Sequence, residues 1–236
     1  MVVVGINKNI VARSIRDRLV LLIAKMEDSI RKVVNDNNSD FNKVANEILQ
    51  GIVGVVLDNE VNQSISELFN AYDLVGDTAR NRYLLNRELF AFAEDETQIN
   101  NNPDLSLSLQ TIDLNIQLLN IGFAYTNSTE ITFSNTDDLQ GVIDDLEAEY
   151  QRLKGISLID QDTRIDLINI RTGSMEFFTT LDLSVIKTIK TLMKPSRIIS
   201  YENYASSDNA EVIVSLNKAN NTPFIVGEIK IISDSQ

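Results

Sequence analysis

The chain has 236 residues, no histidine, no cysteine and no tryptophan, and 34 acids against 21 bases, a formal charge of -13. These absences exclude imidazole base catalysis, His-aligned triads, the usual zinc and haem ligands, disulfides and thiol chemistry. Carboxylates, Lys, Tyr, Ser or Thr would have to carry any reaction, and the composition argues against a catalyst and assigns no cofactor or metal.

The length suits one large domain or two small ones, and 43% hydrophobic with 23% charged residues is ordinary for a packed chain. The longest apolar run, Leu19–Ala24, is far short of the ~20 residues that span a membrane. Residues 1–6 are too short for a secretory apolar region, so use in a cytosolic compartment is expected. The charge is uneven. Residues 1–60 and 181–236 are each neutral, whereas residues 61–180 hold seven bases and twenty acids. That middle is read as a solvated acidic surface that repels phosphate, so no specific nucleic-acid binding is expected.

In chain order, the first element is a long amphipathic helix over about 8–35. Its apolar residues Ile15, Leu19, Leu22, Met26, Ile30 and Val33 step by 4, 3, 4, 4 and 3, close to a heptad seam. Such a stripe packs either within its own domain or against a second copy, and these six residues are the interface candidates. A helix from about Asp40 to Leu57 follows, with Gly51 and Gly54 as a close contact or a break. Val61, Ile65, Leu68, Phe69 and Tyr72 repeat at helical spacing. Asp77 or Thr78 can cap a helix over about 78–94. Asn100–Pro103 reads as a loop.

Residues 105–119 fit both strand alternation and a helical 4-3-4-3 pattern, and are read as helix. A turn and a β-like piece at Glu130–Ser134 are expected within 122–135. Thr136–Lys154 reads as a helix with acids at its start and bases in its last turn. Its acids lack the spacing of an EF-hand loop. A further helical region is expected over about 161–194, ended by Pro195.

The last forty residues are the most patterned. Pro195–Tyr204 and Asp208–Asn217 read as short helices, the second with Asp208 and Glu211 at capping-box spacing. Glu228–Ser233 reads as a strand, with Ile229 and Ile231 on one face and a positive φ at Gly227 before it. The fold class read from these elements is mainly α: a multi-helix body over 1–180 and a small α+β module over 181–236.

The C-terminal order resembles the end of a LysM-type module. More closely, it is similar to the C-terminus of the DNA circulation (circularisation) proteins of Mu-like phages. The matching positions are Pro195, Ser196, Tyr201, Tyr204, Ala210, Glu211, Ile213, Asn217, Pro223, Ile225, Gly227 and Ile229. The resemblance covers about 181–233. The chain opens with a helix where that family has a β-rich domain, and Thr222 stands where the family commonly has His. The resemblance implies a structural virion protein at the baseplate or hub of a phage tail, made in the host cytoplasm. It further implies a symmetric homo-oligomer among other tail proteins, with no membrane partner. A LysM-type glycan-binding module is the alternative, its groove formed near 206–209 and 220–223, although no tryptophan is present to stack on a sugar.

Overall fold

The computed structural model describes residues 8–34, 39–51, 58–92, 103–217 and 224–233. Among these lie nine helices and two strands: α1 (Lys8–Val33), α2 (Ser39–Gly51), α3 (Asp58–Asp73), α4 (Ala79–Glu88), α5 (Pro103–Thr129), α6 (Thr136–Lys154), α7 (Gln161–Thr179), β1 (Val185–Pro195), α8 (Ser196–Tyr204), α9 (Ala210–Leu216) and β2 (Phe224–Ser233). The protein is mainly helical with a small antiparallel sheet near the C-terminus. It divides into two compact units. Unit 1 comprises 1–132 and 143–180, and unit 2 comprises 133–142 and 181–236. Unit 2 thus takes in residues 133–142, ten positions that the sequence reading gave to the helical body.

Unit 1 is built on the α1 stripe. Ile15, Leu19, Leu22, Met26 and Ile30 are buried, and Val33 packs partly buried against the same cluster. Phe41 and Ile48 of α2, Ile65, Leu68 and Tyr72 of α3, Leu85 of α4 and Ile116 of α5 complete it. The stripe is therefore core of its own unit, the first of the two placements expected for it: the five buried residues offer no face to a second copy, and Val33 is partly covered. Four neighbouring helices give its apolar surface enough to pack against, and burial of that surface is the dominant favourable term. Arg18 of α1 adds a directional tie, donating to Asp113 of α5 at 2.7 Å.

Helix α5 resolves the ambiguous run. It buries Ile112, Leu114, Ile116, Ile121, Ala124 and Tyr125, so it is apolar around much of its circumference. A helix covered on several sides satisfies an alternating pattern as readily as a helical one. It continues through Gly122 to Thr129, and Glu130–Ser134 is irregular rather than β-like. Among the described residues no strand pairs with that piece. Ile131 and Phe133 are simply buried apolar residues of a connection.

Local caps follow the sequence in part. Thr78 caps α4, its Oγ1 accepting from Asn81 N at 3.1 Å, and Asp160 caps α7 by accepting from Thr163 N at 2.8 Å. Just after α6, the Arg164 guanidinium donates to the carbonyls of Lys154, Ile156 and Ile159, tying the last residue of α6 and the following turn to α7. The expected helix over 161–194 is two elements. α7 stops at Thr180, and 185–195 is β1. The run Val185-Ile-Lys-Thr-Ile-Lys-Thr alternates β-branched and polar residues, and its partner β2 supplies the ladder. The end of the 40–57 helix, residues 93–94, the loop residues 100–102, and the expected breaks at 35–38 and Gly54 lie outside the described residues.

Unit 2 has the order strand–helix–helix–strand. β1 and β2 pair antiparallel from Val185↔Ser233 to Pro195↔Phe224, with a bulge between Thr191 and Lys194. Ile199, Ile213, Ile225, Ile229 and Ile231 form its core, with Ile189, Tyr204 and Val214 against it. Residues 133–142 join the start of the sheet: Thr136 N donates to Ser184 O, Ile186 N donates to Thr136 Oγ1, and Lys230 pairs with Asp137 at 2.5 Å.

Candidate functional site

The C-terminal motif positions fall into two classes. Ile213, Ile225 and Ile229 are core, so their pattern records packing. Ile229 and Ile231 share the buried face of β2, as the alternation predicts. Asn217 is a stapling residue at the end of α9. Its Nδ2 donates to Ile213 O at 2.7 Å and to Lys230 O at 2.8 Å, and its Oδ1 accepts from Lys230 N at 2.7 Å. One amide side chain thereby takes the place of a third strand at the β2 edge. Gly227 has φ of +97° and sits within β2 rather than before it. Asp208 is not the cap of α9. Asn209 holds that position without a side-chain cap bond, while Asp208 N donates to Ser206 Oγ. Pro223 and the rest of 218–223 lie outside the described residues.

The second class is exposed. Tyr201 on α8 is 66% exposed, whereas Tyr204 packs partly buried against the module core. The bulge adds residues the motif did not contain. Leu192 and Met193 stand opposite Val226, between the pairs Thr191↔Gly227 and Lys194↔Ile225, and Phe224 pairs with Pro195 next to them. Leu192 is 81% exposed, Met193 69%, Val226 61% and Phe224 51%. A two-against-one bulge bends the strand and turns its extra side chain outward. Four large apolar side chains thus cluster at one end of a two-stranded ribbon, and Ile198 and Tyr201 stand exposed three residues apart on the adjoining α8. Contiguous exposed apolar surface of this kind marks docking surfaces in soluble proteins.

Charges of both signs surround this end: Lys190 and Lys194 on β1, Arg197 and Glu202 on α8, and Glu228 on β2. Lys190 pairs with Glu228 at 3.3 Å and Lys194 with Glu202 at 2.6 Å. Reading 185–194 as helix hid this site. The signal that could have shown it was the β-branched alternation, followed by the unbroken apolar pair Leu192-Met193.

Elsewhere the polar groups are engaged in structure. Glu149 is buried. It accepts from Arg152 Nε at 2.7 Å and Nη2 at 2.6 Å, and from Ala91 N at 3.3 Å, while Arg152 also donates to Gln117 Oε1. This network holds the turn after α4, where Ala91 adopts φ of 55°. Arg171 holds the Glu147 carboxyl below its usual range by donating at 2.7 Å, and it lies 5.0 Å over the Tyr150 ring. Burial pushes the Tyr72, Tyr83 and Tyr125 hydroxyls up, so they stay protonated at neutral pH. Among the described residues no group of three or more carboxylates could hold a metal ion, and no helix is long and apolar enough to cross a membrane.

The sequence matches no protein-family model and no curated protein.

Proposed function

We propose that the chain is a structural subunit of a phage or phage-like tail, located at the baseplate or tail hub and acting by protein–protein assembly. The observation that carries this reading is the apolar end of the C-terminal ribbon, formed by Leu192, Met193, Phe224 and Val226. It sits on a module whose motif residues resemble those of the Mu-like circulation proteins. The strand–helix–helix–strand order of unit 2 and the packing of Ile213, Ile225 and Ile229 support the same resemblance. In this proposal the chain is not an enzyme. It works in a virion, among other tail proteins and copies of itself, without membrane or specific nucleic-acid partners. The acidic residues of the middle suit a conduit wall that does not retain DNA.

The test is the protein content of purified particles. Mass spectrometry and cryo-EM of particles from a strain carrying this chain should find it at a fixed copy number per tail. Tails that lack it refute the proposal.

The exposed aromatic faces of Tyr201 and Phe224 favour one second reading, a LysM-type site for peptidoglycan or another glycan. Retention on insoluble peptidoglycan, lost on Tyr201→Ala, would select it, and no retention would remove it.

A further inference from the structure

The outer face of the unit 2 ribbon is half covered. Cross-strand partners share a face, and the pairs Ile189↔Ile229 and Lys187↔Ile231 put those isoleucines on the core side. Thr188↔Lys230 and Ile186↔Ile232 therefore belong to the opposite side. Its first half is met by the start of α6, where Asp137 pairs with Lys230. Its second half, with Val226, Phe224 and the Leu192-Met193 bulge, is bare. The chain's own solution to covering this face is the acid-led first turn of a helix. What would complete the rest has the same chemistry: a helix with apolar and acidic residues in one stripe.

The chain displays such a stripe elsewhere. α7 buries Leu167, Ser174 and Phe178 and leaves Ile165, Ile168, Ile170 and Phe177 exposed. Asp166, Ile170, Gly173 and Phe177 step by 4, 3 and 4, so they form one line along the helix. Gly173 has nothing within 4 Å of where a Cβ would stand, so a neighbour can approach the backbone there. Asp166 is exposed and enters no ion pair among the described residues, and the same holds for Asp162 and Glu176. Arg197, which follows Pro195 beside the apolar end of the ribbon, likewise enters no ion pair among the described residues.

We infer that the bare half of the ribbon in one copy docks on the Asp166–Ile170–Phe177 stripe of α7 in a second copy. The exposed Arg197 beside the ribbon end is opposite in charge to the exposed Asp162, Asp166 and Glu176 of α7, and both surfaces are apolar at their centres. The contact is heterologous. A docked pair therefore keeps one unused ribbon end and one unused stripe, and the association closes into a ring or grows into a filament. The inference rests on the assembly role proposed above and names the surfaces that perform it.

The test uses the full chain and two surface variants, with sedimentation velocity from 1 to 200 µM. Wild type should form species beyond the dimer as concentration rises. Leu192→Glu/Val226→Glu blocks the ribbon end and Ile170→Glu blocks the stripe. Each alone should weaken association roughly tenfold or more, as loss of a central apolar contact does. Mixed in equal amounts, the two variants retain one good ribbon and one good stripe between them. They should form a 1:1 dimer that goes no further. Circular dichroism checks that both variants keep the wild-type helical signal, and Asp166→Arg offers a polar replacement if Ile170→Glu misfolds. A wild type that is monomeric at 200 µM overturns the inference. So does a mixture that fails to form the dimer. A chain found in tails but monomeric alone would overturn this contact and leave the tail assignment standing, whereas a chain that oligomerises but is absent from tails would do the reverse.

Discussion

Replacing Asn217 by Ala tests whether one side chain holds the C-terminal module together. The amide makes three hydrogen bonds, two of them to the backbone of Lys230 at 2.7 and 2.8 Å and one to Ile213 O at 2.7 Å. A typical intramolecular hydrogen bond contributes about 0.5–1.5 kcal/mol net. Lys230 is exposed, so water can reach its freed N–H and C=O, and no burial penalty is added. The two bonds to β2 with the third to α9 therefore amount to about 1.5–3 kcal/mol, taking the lower half of that range for an exposed edge. At 1.4 kcal/mol per factor of ten, this is roughly a 10- to 150-fold loss of protection. The assay is amide hydrogen exchange followed by mass spectrometry on the full chain, comparing peptides that cover 210–217 and 224–233 with peptides from unit 1. Asn217→Asp should lose nearly as much, because a carboxylate accepts from Lys230 N but turns an acceptor toward the carbonyls of Lys230 and Ile213. A loss under threefold in β2, or an equal loss throughout unit 1, would refute the assignment of Asn217 as the staple. Rescue by Asp to wild-type protection would show that only the bond from Lys230 N matters.

The remaining predictions concern core, strain and charge. Leu19→Ala removes a fully buried side chain from the α1 stripe, and it should lower the stability of unit 1 by about 2–5 kcal/mol in urea unfolding followed by far-UV circular dichroism. Near-neutral stability with weakened self-association would restore the intermolecular reading of that stripe. Gly227→Ala meets no atom within 4 Å but must hold φ of +97°, so a cost of about 1–2 kcal/mol should appear as faster exchange in β2. Gly76→Ala differs in cause, because its Cβ would collide with the Arg82 side chain and backbone, and its effect should appear in α3 and α4. Arg171 holds the Glu147 carboxyl low, so the pair stabilises the fold above the ordinary carboxylate pKa and loses that contribution as pH falls through the lowered value. Both groups are about a third exposed, which limits the gain to under about 1 kcal/mol. Arg171→Gln should move the Glu147 titration midpoint upward in carbonyl-detected NMR. An unchanged midpoint would mean the ion pair is not populated in solution.

Much of unit 1 is legible in the residue order because helices announce themselves locally. The 4-3 steps of α1, the acids that open α6 and the cap at Thr78 all act within a few residues of themselves. The same local rules separated Ile229 and Ile231 from Lys230 on β2. They failed where the deciding partner is distant. β1 is separated from β2 by two helices, and its ladder forms with residues from Pro195↔Phe224 to Val185↔Ser233, far outside any local window. Leu192 could equally be the last apolar residue of a helix until that pairing, and the bulge within it, fixes its exposure. The likeness of 105–119 to both strand and helix has the same origin, since only burial on several sides explains an α5 that is apolar around most of its surface.

The sequence by itself determined the chemistry that is absent and the place where the charge resides. It also determined the helical class and the apolar stripe of α1, because each depends on residue type or short-range periodicity. Tertiary structure decided what that stripe is for. Surrounded by α2, α3, α4 and α5, it became core, since burial inside one chain needs no second copy to complete it. Tertiary structure also moved the exposed apolar surface to the far end of the C-terminal ribbon. Cross-strand register, which no short window of residues contains, turns Leu192, Met193 and Val226 toward solvent there.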